Sequence, residues 1–293
     1  REGLPLVPHP YAAIAEPLGL TEDDVVARTR RLIEGGAIAR VAPRCDPERA
    51  GGTACAAAID VPAERVEAVA ALLDRMSEIA DLRVFDHRPN LWFVVVTEQP
   101  CGIGGTQRAI EAATGLEVML FPKVRDYLVD PAEGADPTPP DAADRALACA
   151  ARDGLPLDRD PWAAMATAVG IPAAEVLARL GRMRTEGRAR ACGGDRRDGR
   201  RGAALEGLTV WDVDDGEVDD VGARLAALPF VAQCRRRPRA LPLWPYNLFV
   251  VVRGGSRTEI AAARAAIADL AGGAVYGSDV LFATTTGRRG DAR

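Results

Sequence analysis

The feature that most constrains the fold is an internal duplication. Residues 2–19 read EGLPLVPHPYAAIAEPLG and residues 153–170 read DGLPLDRDPWAAMATAVG, so G-L-P-L, the proline before an aromatic residue, A-A and the closing glycine recur 151 residues later. The match continues where VVARTRRL aligns with VLARLGRM and, with a one-residue slip, where AAIDVPAERVEAVAALLDRM aligns with GLTVWDVDDGEVDDVGARLAAL. The chain is therefore two copies of one unit, and any fold assigned to the first copy must also suit the second.

Each copy begins with helices. Thr21 is followed three residues later by Asp24, an arrangement that caps a helix, and apolar residues then recur at helical spacing. A short helix over 10–18, ended by Gly19, precedes this cap. The pattern predicts helix-turn-helix units at 1–42 and 145–192. A further helix over 141–152 precedes the second unit, and we expect the first unit to lack this helix.

The hydrophobic period then changes from that of helices to that of strands. In the first copy the pattern predicts a strand, a helix, two strands, a helix and a strand at 54–60, 62–73, 79–85, 90–97, 105–114 and 116–121. This βαββαβ order predicts ferredoxin-like domains at 53–129 and 203–286, with a proline-rich linker at 130–144. The expected fold class is α+β, in two tandem copies of a helix-turn-helix plus a ferredoxin-like domain.

Charge and hydropathy exclude several functional classes. The 293 residues carry a net charge of −5 with a pI near 5.3, whereas a nucleic-acid binder is more often basic. The second helix of each helix-turn-helix opens with T-E-D-D or P-A-A-E, where base readout needs donors and positive charge, so DNA binding is not expected. No apolar run approaches the roughly 20 residues of a membrane helix. We therefore expect a cytoplasmic protein without membrane contact.

Metal chemistry is not indicated either. The six cysteines are scattered without a C-x-x-C, and the chain has two histidines, His9 and His87. Zinc and iron–sulfur sites use closely spaced cysteines and histidines, so we expect no zinc or iron–sulfur site among these residues.

A basic, proline-containing turn precedes an apolar strand in both copies. Residues 87–96 read HRPNLWFVVV and residues 237–252 read RPRALPLWPYNLFVVV. Guanidinium groups bind carboxylates through two hydrogen bonds, and indole or phenol rings offer flat apolar area, so the turns suit a flat ligand with several carboxylates. Two simpler readings stay open at this point: Trp92 and Trp244 could be core residues, and the arginines could form a solvated face.

The same segments carry a family resemblance. The stretch HRPNLWFVV followed by TGLEVMLFPKVRDYLVD is similar to the D-type subunit of siroheme decarboxylases, and TVWDV followed by CRRRPRALPLWPYNLF resembles the L-type subunit. These proteins have the Lrp/AsnC plan of a helix-turn-helix and a ferredoxin-like domain, and they also occur as fused chains, which would explain the duplication. The resemblance implies removal of the two acetate carboxylates of siroheme to give 12,18-didecarboxysiroheme, in haem d1 or alternative haem biosynthesis.

The resemblance also implies a site and its partners. Siroheme is the expected substrate and brings its own iron, no added cofactor is expected, and the chain is expected to form a homo-oligomer or to assemble with related subunits. The site should lie between the two hairpins, within a continuous sheet formed by the paired ferredoxin-like domains. His87 is the expected catalytic acid, with an axial iron ligand as the other possible role. The expected substrate-binding residues are Arg83, Arg88, Asn90, Trp92, Arg235, Arg236, Arg237, Arg239, Trp244, Tyr246, Asn247 and Arg253.

The sequence departs from the family pattern at four places. Arg235 and Arg253 stand where L-type subunits have tyrosine and histidine, and Phe85 stands where D-type subunits have arginine. The segment DRRDGRRG at 195–202 keeps arginines but lacks the histidine that L-type subunits carry before the W-D-V strand. We therefore expect the second copy to have lost acid–base chemistry and kept substrate binding. The alternatives are a transcription regulator of the Lrp/AsnC type and a tetrapyrrole-binding protein without catalysis.

Overall fold

The structure, a computed structural model, describes residues 4–35, 38–45, 48–128, 139–151, 154–196 and 205–286. Its helices are α1 (Pro10–Ala15), α2 (Glu22–Glu34), α3 (Val66–Leu73), α4 (Pro100–Thr114), α5 (Ala142–Ala150), α6 (Pro161–Val169), α7 (Ala173–Thr185), α8 (Val218–Ala226) and α9 (Arg257–Ala271). Its strands are β1 (Ile38–Cys45), β2 (Thr53–Ile59), β3 (Ile79–Phe85), β4 (Leu91–Thr97), β5 (Val118–Phe121), β6 (Arg125–Asp126), β7 (Ala189–Arg196), β8 (Leu205–Val213), β9 (Val231–Arg236), β10 (Leu248–Gly254), β11 (Val275–Leu281) and β12 (Ala283–Thr286). The predicted α+β fold in two copies is confirmed.

The helix-turn-helix parts of the two copies share one core. Helices α1 and α2 of the first copy pack against α5, α6 and α7 of the second, and the common cluster includes Tyr11, Val25, Trp162 and Leu180. The predicted capping box is present, because the Thr21 hydroxyl accepts a hydrogen bond from the Asp24 N–H while the Asp24 carboxylate accepts one from the Thr21 N–H. The two helical units therefore form one domain with a common hydrophobic core, not two independent domains.

A two-stranded ribbon joins the helical units a second time. Strand β1, after the first unit, pairs antiparallel with β7, after the second, from Ile38 opposite Arg196 to Cys45 opposite Ala189. The predicted helix-turn-helix bounds of 1–42 and 145–192 end before these strands do, so the ribbon is a feature that the sequence pattern missed.

Each ferredoxin-like domain follows the predicted βαββαβ order. The helices cover one face of each sheet, where α3 and α4 bury Val69, Leu73 and Ile110 and where α8 and α9 bury Val221 and Leu225. Helix α4 begins at Pro100, not near residue 105 as predicted, although it includes Gly102, Gly104 and Gly105. Gly102 is required there, because a Cβ at this position would lie 2.8 Å from Cβ of Thr97.

The two copies exchange their last strands. Strand β6, which follows the first domain, pairs with β9 of the second, and β12, which follows the second domain, pairs with β3 of the first. The strand orders are β12-β3-β4-β2-β5 and β11-β8-β10-β9-β6, so each five-stranded sheet has four strands from one copy and one from the other. Next to β6, the Tyr127 ring packs on Gly222 of α8 and its hydroxyl donates a hydrogen bond to Asp219.

The uncovered faces of the two sheets pack against each other. A buried cluster between them contains Ala58, Trp92 and Phe121 from the first copy and Trp244 and Phe249 from the second. The expectation of one continuous sheet is wrong, because the two sheets meet face to face and bury an aromatic layer that would otherwise face water. This layer is where the hairpins of the two copies meet.

The expected boundary between the linker and the second copy needs one adjustment. Helix α5 begins at Ala142, inside the predicted linker 130–144, because Asp141 caps it together with Asp144. Within α5, Asp144 is fully buried and pairs with Arg179 and Arg182 of α7, at 2.9 Å and 2.7 Å. Residues 130–138 of the predicted linker lie outside the described residues.

Candidate active site

His87 lies where the two copies meet. It belongs to the short loop between β3 and β4, which closes with a hydrogen bond from the Phe85 N–H to the Asn90 carbonyl (2.8 Å). Its side chain, 20% exposed, crosses to the second copy, where Nε2 is 3.1 Å from Oδ2 of Asp279. The imidazole also meets the Trp244 ring edge to face, with 5.6 Å between centroids. The predicted catalytic histidine of the first copy therefore contacts the second copy.

Trp244 is the centre of an aromatic cluster. It sits in the loop between β9 and β10, which is pinned by reciprocal backbone hydrogen bonds between Ala240 and Trp244. The indole is fully buried, and its centroid is 4.8 Å from Trp92, 4.9 Å from Tyr246 and 5.8 Å from Phe249. Trp92 and Trp244 both belong to the core between the sheets, so the packing supports the interpretation of these two residues as core residues.

Tyr246 lies at the edge of this aromatic cluster and packs against Trp244, the ring that also contacts His87. Burial raises the pKa of its hydroxyl, and the nearby Asp279 carboxylate raises it further because a second negative charge there is unfavourable. The phenol therefore stays protonated at neutral pH and is available as a hydrogen-bond donor.

Two nitrogens of the site have no partner among the described residues. Both Nδ1 of His87 and Nε1 of Trp244 are buried without a hydrogen bond. The Trp92 indole, by contrast, donates to the Pro89 carbonyl at 2.9 Å. Since buried polar groups are rarely left unsatisfied, these two nitrogens mark the position where a ligand or a water molecule would be bound.

Three of the predicted substrate-binding arginines stabilise the protein instead. Arg235 pairs with Asp126 of the exchanged strand β6 (2.8 Å), and Arg236 approaches Asp219 of α8 (3.4 Å). Arg239 donates to the carboxylates of Asp212 and Asp215 and to the carbonyls of Val213 and Pro245. Arg235 and Arg236 are neighbours on β9, where successive side chains point to opposite faces of the sheet, and each of the three arginines pairs with a different acidic residue.

Arg237 lies on the far side of the aromatic cluster from His87. Its guanidinium donates to the Phe121 carbonyl and stands over the Phe249 ring, with 5.7 Å to the centroid. Desolvation, together with the positive charge of the nearby Arg235, lowers its pKa to about 10. The group still carries its charge at neutral pH, where it links the two sheets.

The other three predicted arginines, Arg83, Arg88 and Arg253, lie at different places relative to His87. Arg88 is next to His87, is 76% exposed and pairs with Asp60. Arg83 lies on β3 and donates to Asp81 at 2.9 Å. Arg253 is 61% exposed and pairs with Glu206 at the end of β10 remote from the hairpin, so the structure does not bring it together with His87.

The two predicted asparagines fulfil a structural task. Asn90 accepts a hydrogen bond from the N–H of Val61 and donates one to its carbonyl, both at 2.9 Å. Asn247, which is 2% exposed, does the same with Val213. Asn90 thereby connects its hairpin to the segment after β2, and Asn247 connects its hairpin to the end of β8. Both amides have protein partners in this structure, and their role in substrate binding stays a prediction.

Asp279 is a member of the site that sequence reasoning missed. It lies on β11, 192 residues from His87 along the chain, and nothing in the local pattern V-Y-G-S-D-V-L sets it apart from other strand aspartates. Only the packing of one copy on the other brings it to the histidine.

The described residues hold no group of three or more histidine, cysteine, aspartate or glutamate side chains arranged to bind a metal ion. In the same part of the chain no single helix is long and apolar enough to cross a membrane, and only α6 with α7, bent by 92°, reach that length and composition together. At the N-terminus of α2, Arg159 of the second copy pairs with Asp23 at 3.0 Å. The end of the helix that a regulator would point at DNA is therefore held by the other copy.

Comparison with known proteins assigns the chain to a family. The model described as "Siroheme decarboxylase NirDL-like HTH domain" matches residues 1–38 and 144–190, and that described as "AsnC-like ligand binding domain" matches 200–286. The siroheme decarboxylase NirDL subunit of Paracoccus denitrificans is 32% identical over 272 residues, which cover 88% of this chain and 83% of that relative. The chain belongs to the siroheme decarboxylase family.

Other members of the siroheme decarboxylase family match one half of this chain. The NirH subunit of Paracoccus pantotrophus is 40% identical over 50% of this chain and 91% of its own length, and the NirG subunit of Stutzerimonas stutzeri is 43% identical over 44% and 88%. The crystal structure of the siroheme decarboxylase NirDL superposes with a TM-score of 0.59 and 20% identity, over 98% of this chain and 89% of that one. The shared fold extends over both copies.

Proposed function

We propose that this chain decarboxylates siroheme at its two acetate side chains and yields 12,18-didecarboxysiroheme, a step of haem d1 or alternative haem biosynthesis. The observation that carries the proposal is the match along 88% of the chain to a siroheme decarboxylase subunit. The placement of His87 between the two copies supports it, because a shared site of this kind needs both halves of a duplicated chain.

The reaction sets the demands on the protein. In each acetate the bond between the CH₂ carbon and the carboxyl carbon breaks, CO₂ leaves, and the electron pair stays on the CH₂ carbon. The pyrrole ring can delocalise this pair if it is protonated, and one proton then converts the carbon into a methyl group. The step is redox-neutral and consumes one proton for each carboxylate, so a positioned acid is the group that the protein must supply.

His87 is the proposed acid. It is the histidine of the two hairpins, and its partial exposure of 20% allows it to regain a proton from solvent between the two decarboxylations. The second hairpin contributes the buried Trp244 and the phenol of Tyr246, but no histidine. We propose one acid per chain, with the second copy forming the wall against which the substrate is held.

Arg88 is the proposed carboxylate-binding arginine. Its pair with Asp60 is largely exposed, and exposed ion pairs contribute only about 0 to 1 kcal/mol, so a substrate carboxylate can displace Asp60 at little cost. Arg239 has five hydrogen bonds to four acceptors, and releasing it would leave buried acceptors unsatisfied. The proposal therefore moves substrate binding from the second hairpin to the residue beside His87.

We propose that the chain can assemble with further subunits but does not need them to complete the site. Some relatives are single NirG or NirH subunits, each matching about half of this chain. Here His87 comes from one copy and Asp279 and Trp244 from the other, within one chain. The chain alone should therefore hold a complete site, whether or not it forms a homo-oligomer or joins related subunits.

The test is anaerobic incubation of the purified chain with siroheme, followed by mass analysis of the tetrapyrrole. We expect loss of two CO₂, and a much slower loss with His87→Asn. Binding of siroheme without any mass change would favour a tetrapyrrole-binding protein. Failure to bind siroheme, together with sequence-specific retention of DNA, would favour a regulator.

A further inference from the structure

Asp279 faces the gap between the two sheets. Along β11, Ser278 accepts a hydrogen bond from Arg264 of α9 (2.9 Å), whereas Leu281 packs in the cluster between the sheets. Since side chains alternate along a strand, Asp279 points to the same side as Leu281, toward the loop that carries His87. Its position follows from the strand and not from a mobile loop.

The Asp279 carboxylate is held at both oxygens. Oδ1 accepts a hydrogen bond from the backbone N–H of Val280 at 2.7 Å, and Oδ2 lies 3.1 Å from Nε2 of His87. An ionised carboxylate can only accept, so the imidazole must donate, and Nε2 must carry a hydrogen. The contact therefore selects the tautomer of the histidine and, since Trp244 borders the ring as well, its orientation.

We propose that Asp279 is a positioning residue, which holds His87 with its hydrogen on Nε2 and so leaves Nδ1 as the atom that exchanges the proton with the substrate. This role rests on the proposed function. The protein offers Nδ1 no partner within the described residues, although the atom is buried, as expected for a group whose partner is the substrate or a water molecule. The pair also explains why one chain needs both copies, since the acid belongs to the first and its orienting group to the second.

The kinetic test uses two substitutions of Asp279 and a matched control. Asp279→Asn is nearly isosteric, but its amide can donate to Nε2 and so favours the other tautomer. We expect kcat to fall on the order of 10² to 10⁴-fold, which is the contribution of a positioned general acid, with the Kd of siroheme changed less than about threefold. Asp279→Glu keeps the carboxylate and should recover a large part of the rate. Asp269→Asn, on the exposed side of α9, should match the wild type.

The second readout needs no substrate. The chain has two histidines, so ¹⁵N labelling of histidine gives two imidazole spin systems, and His87→Asn assigns them. In the wild type the neutral His87 ring should carry its hydrogen on Nε2. In Asp279→Asn the hydrogen should shift to Nδ1, while the His9 signals stay unchanged.

The two readouts separate the inference from the proposed function. A wild-type chain that converts siroheme, beside an Asp279→Asn variant with the same kcat or the same imidazole spectrum, would overturn the role of Asp279 and leave the proposed function standing. A wild-type chain that leaves siroheme unchanged would overturn the proposed function and the catalytic meaning of the pair with it, even if the spectrum responds to Asp279→Asn. A loss of kcat together with the spectral change supports both.

Discussion

Replacing Gly222 of α8 by alanine should lower the unfolding free energy of the wild type but raise that of a Tyr127→Ala variant. An alanine Cβ at this position would lie 2.4, 2.5 and 2.7 Å from three carbon atoms of the Tyr127 ring. Real Cβ contacts do not reach such distances, so the ring, which belongs to the segment exchanged from the first copy, would have to leave. The substitution therefore tests whether the exchanged segment is docked on the second copy.

The expected change in the unfolding free energy is the sum of opposing effects. In an open helix interior, Gly→Ala stabilises by about 1 kcal/mol. Overpacking costs about 1 to 3 kcal/mol, and the hydrogen bond of Tyr127 to Asp219, half exposed, contributes up to about 1 kcal/mol more when lost. Gly222→Ala should thus destabilise the protein by up to about 3 kcal/mol, which is the sum of these costs less the helix gain, whereas in a Tyr127→Ala background it should stabilise by about 1 kcal/mol.

The assay is equilibrium unfolding in urea of the wild type, both single variants and the double variant. Gly181→Ala in α7 is the matched control, because nothing lies within 4 Å of a Cβ there, and it should stabilise both backgrounds alike. If Gly222→Ala stabilised the wild type and the Tyr127→Ala variant equally, the docking of the exchanged segment would be refuted.

Three other substitutions address the site and its electrostatics. His87→Asn should lower kcat on the order of 10² to 10⁴-fold with little change in siroheme binding, measured by single-turnover kinetics at saturating siroheme; an unchanged rate would show that the proton comes from another source. Arg88→Ala should weaken siroheme binding about tenfold, since a charged hydrogen bond contributes about 1.5 kcal/mol or more, while Arg253→Ala should leave the Kd in a siroheme titration unchanged; equal effects of the two would contradict the placement of the site. The hydrogen bond from Tyr127 lowers the pKa of the Asp219 carboxyl in the folded protein below its ordinary value of 3.8, so this bond stabilises the fold above pH 3.8 and the stabilisation is lost as the pH falls through the pKa of the folded state. The difference in unfolding free energy between the wild type and Tyr127→Phe should therefore shrink at low pH, and a difference that stays constant with pH would exclude this linkage.

The sequence predicted the elements well because their signals are local. The capping pair Thr21 and Asp24, the periodicity of 66–73 and the apolar run of 54–60 each lie within a few residues, and the duplication tested every assignment twice. The two-residue strand β6 was missed because it is too short for any period to show, and its pairing with β9 depends on the other copy.

The site could be predicted only in part. The hairpin pattern singled out His87 and Trp244, which the fold brings to 5.6 Å. The arginines were over-assigned, because a run such as Arg235 to Arg237 is a cluster in sequence but is divided between two faces by strand alternation. Asp279 could not be found, because its contact with His87 depends on how one sheet packs on the other.

The most direct test of the account is a single-turnover reaction of the purified chain alone with siroheme, under anaerobic conditions in ²H₂O. The account predicts a product that has lost two CO₂ and has gained one deuterium in each new methyl group, because each decarboxylation takes one solvent-exchangeable proton through His87. Unchanged siroheme, or conversion only after related subunits are added, would contradict the claim that the two copies of this chain form a complete decarboxylase site.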